Sequence, residues 1–136
     1  HADKGVIILC RTSNPNSGDL QNLVCGGKMV YEHVALLARD RWNYNGNAAL
    51  VIGATYPEEL RHVRELCPDM PFLVPGVGAQ GGDVEKVVKF GCDRTGHGIV
   101  INSSRGIIYA DKTENFAAGA GNAARELRDL VNSFRD

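Results

Sequence analysis

Residues 71–84 read Pro71-Phe72-Leu73-Val74-Pro75-Gly76-Val77-Gly78-Ala79-Gln80-Gly81-Gly82-Asp83-Val84. A short, unbroken apolar run leads into a turn with four glycines in seven residues, and an aspartate then opens a segment of helical period. That is one strand-turn-helix unit. Working outward, the same apolar run recurs as Gly5-Val6-Ile7-Ile8-Leu9-Cys10, Ala48-Ala49-Leu50-Val51-Ile52-Gly53 and Gly98-Ile99-Val100-Ile101-Asn102. Continuous rather than alternating runs are how strands covered on both faces read in parallel sheets.

Each run is followed by a polar, glycine-bearing turn and a helix. The first helix is expected over residues 29–42, with Val30, Val34, Leu37 and Ala38 on one face. In the second, Thr55 and Glu58 have the spacing of a capping box and Pro57 suits the first turn. Leu60, Val63 and Cys67 form its buried stripe, and Pro68 stops it. The third opens at the N-cap Asp83, carries Val84, Val87 and Val88 inward and ends at Gly91, the usual left-handed stop. The fourth carries Phe116, Ala120, Ala123, Leu127, Leu130, Val131 and Phe134 at 3-4 spacing.

The order βαβαβαβα requires right-handed crossovers and a parallel sheet, so the fold class is α/β. Two architectures fit: a small open doubly wound sheet, and half of a (β/α)8 barrel. The 136 residues are about half of the roughly 250 that a whole barrel takes. The chain has no initiator Met and enters a strand within a few residues, which reads as a fragment or processed chain. Residues 1–136 are expected to form one segment.

Hydrophobic residues at 43% and charged residues at 23% exclude disorder, and fifteen basic against sixteen acidic residues leave no broad positive field for nucleic acid or a membrane surface. No membrane span or signal peptide is visible, so the expected location is cytoplasmic. Cys10, Cys25, Cys67 and Cys92 form no C-x-x-C pair and read as buried free thiols, and the histidines lack metal spacing. No metal and no cofactor are expected.

In either architecture chemistry belongs at the carboxyl ends of the strands. The turn from Gly76 to Asp83 brings backbone N–H groups to a helix start, a place for an anion. Its G-x-G-x-x-G lies after the third strand rather than the first, which argues against a dinucleotide site. The next turn, Asn102-Ser103-Ser104-Arg105-Gly106-Ile107-Ile108-Tyr109, can present a guanidinium fork to a phosphate. Together they point to a phosphorylated small molecule. The turn Arg11-Thr12-Ser13-Asn14-Pro15-Asn16-Ser17-Gly18 is rich in short hydroxyl and amide groups but is uninformative alone.

Read together, Arg11-Thr12-Ser13-Asn14-Pro15, the segment Leu73 to Asp83 and Ile101 to Tyr109 resemble the orotidine 5′-phosphate decarboxylases, in their bacterial-type branch, over essentially the whole chain. The resemblance implies the C-terminal half, strands five to eight, of a (β/α)8 TIM barrel that converts orotidine 5′-monophosphate (OMP) to UMP and carbon dioxide without metal or organic cofactor. It implies that Ser13 meets the pyrimidine edge, Gln80 bridges phosphate and base, Arg105 and the backbone around Ser104 grip the phosphate, and Pro75 and Val77 line the apolar side of the pocket. The family's Asp-x-Lys-x-x-Asp segment, which supplies the proton and the charges around the leaving carboxylate, occurs nowhere in the chain. No catalytic residue is therefore expected in it. The implied partners are OMP or UMP, the N-terminal half of the barrel and a further copy in a homo-oligomer. A non-enzymatic nucleotide-binding or assembly module that keeps the phosphate loops is the alternative.

Overall fold

The computed structural model describes residues 1–78 and 83–135. Strand β1 (Val6–Arg11) leads through a one-turn helix α1 (Gly18–Gln21) and a small hairpin, β2 (Val24–Cys25) and β3 (Lys28–Met29), into helix α2 (Val30–Leu37). A π-helical turn, Ala38–Trp42, extends α2. Then follow β4 (Ala48–Ile52) with α3 (Pro57–Leu66), β5 (Phe72–Pro75) with α4 (Val84–Gly91), and β6 (Ile99–Asn102) with α5 (Ser104–Ile108) and α6 (Phe116–Asn132).

The four apolar runs form one parallel sheet in the order β1-β4-β5-β6, so each neighbour is reached by a helical crossover. Alternate residues point to opposite faces of a strand. On the helix side, Leu50 and Ile52 of β4 and Phe72 and Val74 of β5 are fully buried against Leu60 and Val63 of α3 and Val87 of α4. The other face carries Ile7, Leu9 and Val100, which are 52%, 66% and 59% exposed. One face of the sheet is thus a completed core and the other is an open apolar surface.

Arg64 on α3 fastens the amino ends of the strands. Its guanidinium stacks 3.7 Å above the Phe72 ring and donates to the carbonyls of Gly91, Cys67, Pro68, Met70 and Gly98. One buried cation so satisfies acceptors from the α3–β5 and α4–β6 connections and from the last residue of α4, and its burial lowers its pKa from the ordinary arginine value.

Several local expectations are corrected. Of the face expected on the first helix, Ala38 is buried and Val34 packs against the core, while Val30 and Leu37 are only half-buried and Tyr31 and Ala35 complete the buried side. Thr55 does not cap α3; the N-cap is Tyr56, without a side-chain cap. Asp83 does cap α4, accepting from the Lys86 N–H at 3.2 Å. Gly91 is not left-handed: a Cβ there would stand 3.2 Å from Leu60 and Ile99, so close helix packing is what requires glycine. Helix α6 buries none of its residues: of the expected stripe Leu127 packs against the core, Phe116 and Leu130 are exposed, and Phe134 lies beyond the end of the helix. Of the cysteines, Cys10 and Cys67 are buried and Cys92 half-buried, whereas Cys25 sits exposed on the hairpin. Burial, with Cys67 close by, pushes the Cys10 thiol up to about 12.

Candidate active site

The carboxyl ends of the four strands gather the turns that the sequence marks for chemistry. At the end of β1 the register slips between Leu9 and Arg11. This bulge buries Cys10 and Arg11 in succession, where regular alternation would have sent one of them to the open face. The Arg11 side chain enters a pocket of its own. It stacks 3.9 Å from the Tyr56 ring, donates at 2.9 Å to both Ser17 Oγ and Gln21 Oε1, and lies 3.7 Å from Glu59 Oε1. The following residues, Thr12 and Ser13, turn back over the sheet. Gly53 lets them approach: a Cβ on it would lie 2.8 Å from Ser13 Cβ, and its N–H donates to the Arg11 carbonyl at 2.7 Å.

Two clefts meet above the sheet. The larger, about 620 Å³, is lined by Leu9, Thr12, Ser13, Asn14, Pro15, Val51, Thr55 and Pro75. The smaller, about 90 Å³, is lined by Pro75, Gly76, Val77, Asn102, Ser103, Ser104 and Arg105. Pro75 at the tip of β5 is common to both. The structure therefore places Ser13 and Pro75 in one cleft, and Pro75, Val77, Ser104 and Arg105 in its neighbour. Gln80 lies outside the described residues.

Position within each cleft follows from local folding. Gly76 and Gly78 adopt φ of 89° and 73°, which side-chain-bearing residues rarely adopt, and so turn the chain out of β5. Val77 between them is buried, and its carbonyl accepts from Ser103 Oγ at 3.4 Å, joining the turn after β5 to the turn after β6. Arg105 is not at the end of a buried strand. It stands exposed on the one-turn helix α5, and β6 itself is only half-covered.

Hydroxyls crowd the larger cleft and a cation marks the smaller. Among the described lining residues Arg105 is the one charged side chain, and none of them is an Asp, Glu, His, Cys, Lys or Tyr. Thr55 Oγ1 is buried on the wall of the larger cleft without a hydrogen-bond partner. Among the described residues no three His, Cys, Asp or Glu side chains are grouped to hold a metal ion. Sequence reading missed Arg11, Gln21, Gly53 and Thr55. Arg11 was the one with a visible signal, since a cation ending an apolar strand needs a buried counterpart.

Residues 1–119 match the family described as Orotidine 5'-phosphate decarboxylase / HUMPS family. The chain belongs to that family. It is 56% identical over 135 residues to the orotidine 5′-phosphate decarboxylase of Azoarcus sp. and 55% identical over 135 residues to that of Dechloromonas aromatica, covering 99% of this chain and 50% of each relative. Among solved structures it resembles Leishmania donovani UMP synthase, with a TM-score of 0.90 and 44% identity over 99% of this chain and 29% of that one. Leishmania donovani OMP decarboxylase matches with a TM-score of 0.87 and 41% identity over 99% of this chain and 49% of the other. The chain thus spans about half the length of the curated decarboxylases it matches, and its parallel sheet and helices are one part of the decarboxylase barrel.

Proposed function

We propose that this chain supplies the base-binding and phosphate-binding loops of an orotidine 5′-phosphate decarboxylase, which releases carbon dioxide from OMP to leave UMP. The observation that carries the reading is the pair of clefts joined at Pro75, one walled by Thr12 and Ser13 and the other by Ser104 and Arg105. A nucleoside monophosphate has the matching polarity, with a hydrogen-bonding base at one end and a dianion at the other. In this reading Ser13 meets the pyrimidine edge, Arg105 with the backbone around Ser104 holds the phosphate, and Pro75 and Val77 form the apolar wall beside the departing carboxylate. Gln80 bridges phosphate and base, a role that rests on the family motif alone.

Decarboxylation breaks the bond between C6 and the carboxylate, and the electron pair left on C6 must take a proton. The described walls of the two clefts offer no donor, so the acid comes from the rest of the barrel, and residues 1–136 act as one segment of that domain. Phosphate held remotely by Arg105 contributes to the chemical step by fixing the base against that acid. Family membership further supports a cytoplasmic homo-oligomer. Among the described residues no helix is long and apolar enough to cross a membrane.

The test is UMP binding to the complete barrel and to its Arg105→Ala variant. The variant is expected to bind about 10- to 100-fold more weakly, equivalent to roughly 1.4 to 3 kcal/mol. Unchanged affinity removes the phosphate assignment.

A further inference from the structure

We infer that Arg11 is a positioning residue for base recognition: through Ser17 and Gln21 it locks Thr12, and with it the angle at which Ser13 faces the larger cleft. The inference rests on the reading of Ser13 as the group that meets the pyrimidine.

The network accounts for every polar group of Thr12. Its N–H donates to Gln21 Oε1 at 3.1 Å, its carbonyl accepts from Ser17 Oγ at 3.0 Å, and its hydroxyl accepts from Gln21 Nε2 at 2.9 Å while donating to Asn14 Oδ1 at 2.5 Å. Ser17 Oγ and Gln21 Oε1 are both held by the same Arg11 Nη1 at 2.9 Å. Gln21 and Ser17 thus touch Thr12 on one side and Arg11 on the other. None of these bonds uses the Ser13 hydroxyl, which stays on the cleft wall with its Cβ against Gly53.

Arg11 is itself immobilised. It is 2% exposed, pressed on Tyr56 at the start of α3, with Glu59 on that helix as its counter-charge. The bulge in β1 is what aims it there. A rigid cation thereby ties the loop after β1 to the helix after β4, and a serine whose orientation would otherwise be free along the turn between β1 and α1 is presented in one pose. Fixing a polar group before the ligand arrives removes an ordering cost from binding and sharpens discrimination by the base.

The experiment compares UMP with ribose 5-phosphate, which carries the phosphate without the base, on the complete enzyme. Arg11→Met and Gln21→Ala are each expected to weaken UMP by about tenfold, the size of one well-placed hydrogen bond, and to change ribose 5-phosphate by less than about twofold. In a Ser13→Ala background Arg11→Met should have little further effect on UMP, because the brace acts through Ser13. Gln21→Ala leaves the buried cation in place, so it reads the brace even if Arg11→Met folds poorly. Equal losses for both ligands, or an undiminished Arg11 effect without Ser13, would overturn the inference. Hydrogen exchange of the Thr12 amide separates the two layers. Retained protection in Gln21→Ala disproves the brace whatever binds. Lost protection in an enzyme whose wild type prefers UMP no more than ribose 5-phosphate disproves the Ser13 reading instead, and the positioning role of Arg11 falls with it.

Discussion

At the scale of single residues, the site depends on side chains whose surroundings are assembled from distant parts of the chain. Gly53 is an example. Its glycine is required neither by a left-handed backbone nor by a turn type but by Ser13, which arrives from the end of another strand. Gly53→Ala should therefore lower stability by about 1 to 3 kcal/mol, since an ordinary side chain must push the Ser13 turn away. Urea denaturation of the complete enzyme measures this, and UMP affinity should fall with it. Arg64 makes a second case. Replacing it by Met strands several buried carbonyls, which should cost about 2 kcal/mol or more, with Lys recovering only part because it lacks the planar fork. Ser13, Pro75, Val77, Ser104 and Arg105 were legible through the family resemblance of three motifs taken together, and all five line the two clefts; the Ser13 turn has no signature that would have marked it alone. Gly53, Thr55 and Gln21 were not, since what each needs is set by a neighbour from another connection.

Elements were legible where a period or a cap declares them. The four apolar strands and the Asp83 cap required only local sequence, whereas hairpin β2–β3 has two residues per strand and α5 a single turn, too short for any period to show. The link between α4 and β6 shows how a short connection is nonetheless made rigid. Asp93 accepts from Thr95 Oγ1 at 2.6 Å and from the N–H groups of Thr95 and His97 at 2.8 and 3.1 Å. These bonds, the Thr95 hydroxyl first, hold its carboxyl at about 2, below the ordinary aspartate value of 3.8. A depressed carboxylate stabilises the fold above its unfolded pKa and loses that contribution as pH falls through the folded one. The stability of this connection should decline between about pH 4 and pH 2. Asp93→Asn should flatten that part of the pH profile in thermal unfolding. Glu32 on α2 acts in the same direction: the Met29 N–H at 2.6 Å, followed by His62 on α3 at 2.7 Å, lowers its pKa. Acid below the usual glutamate range should therefore also loosen the α2–α3 contact.

At the scale of the molecule, the decisive feature is a sheet finished on one side only. Strands β1 and β6 end it, and Ile7, Leu9 and Val100 stand exposed on the face away from the helices. A barrel closes by burying such a face in layers of side chains drawn from alternate strands. The curated relatives are twice this length, and under the proposed function the remainder of that barrel is what covers this face. Two Lys substitutions, Ile7→Lys and Val100→Lys, should then act in opposite directions in two settings. Residues 1–136 expressed alone should self-associate through the apolar face and two free edges, and the charges should make them more soluble and less associated in sedimentation. Added to the separately expressed remainder, the same variants should fail to assemble and to bind UMP, because each ammonium would be buried in the closed barrel at roughly 3 kcal/mol or more. Wild-type chains should show the reverse: association alone, and a stoichiometric UMP-binding complex with the remainder. If the substitutions instead left assembly and UMP binding intact, the open face would not be the one on which the barrel closes, and the clefts at Pro75 would have to be completed from another direction.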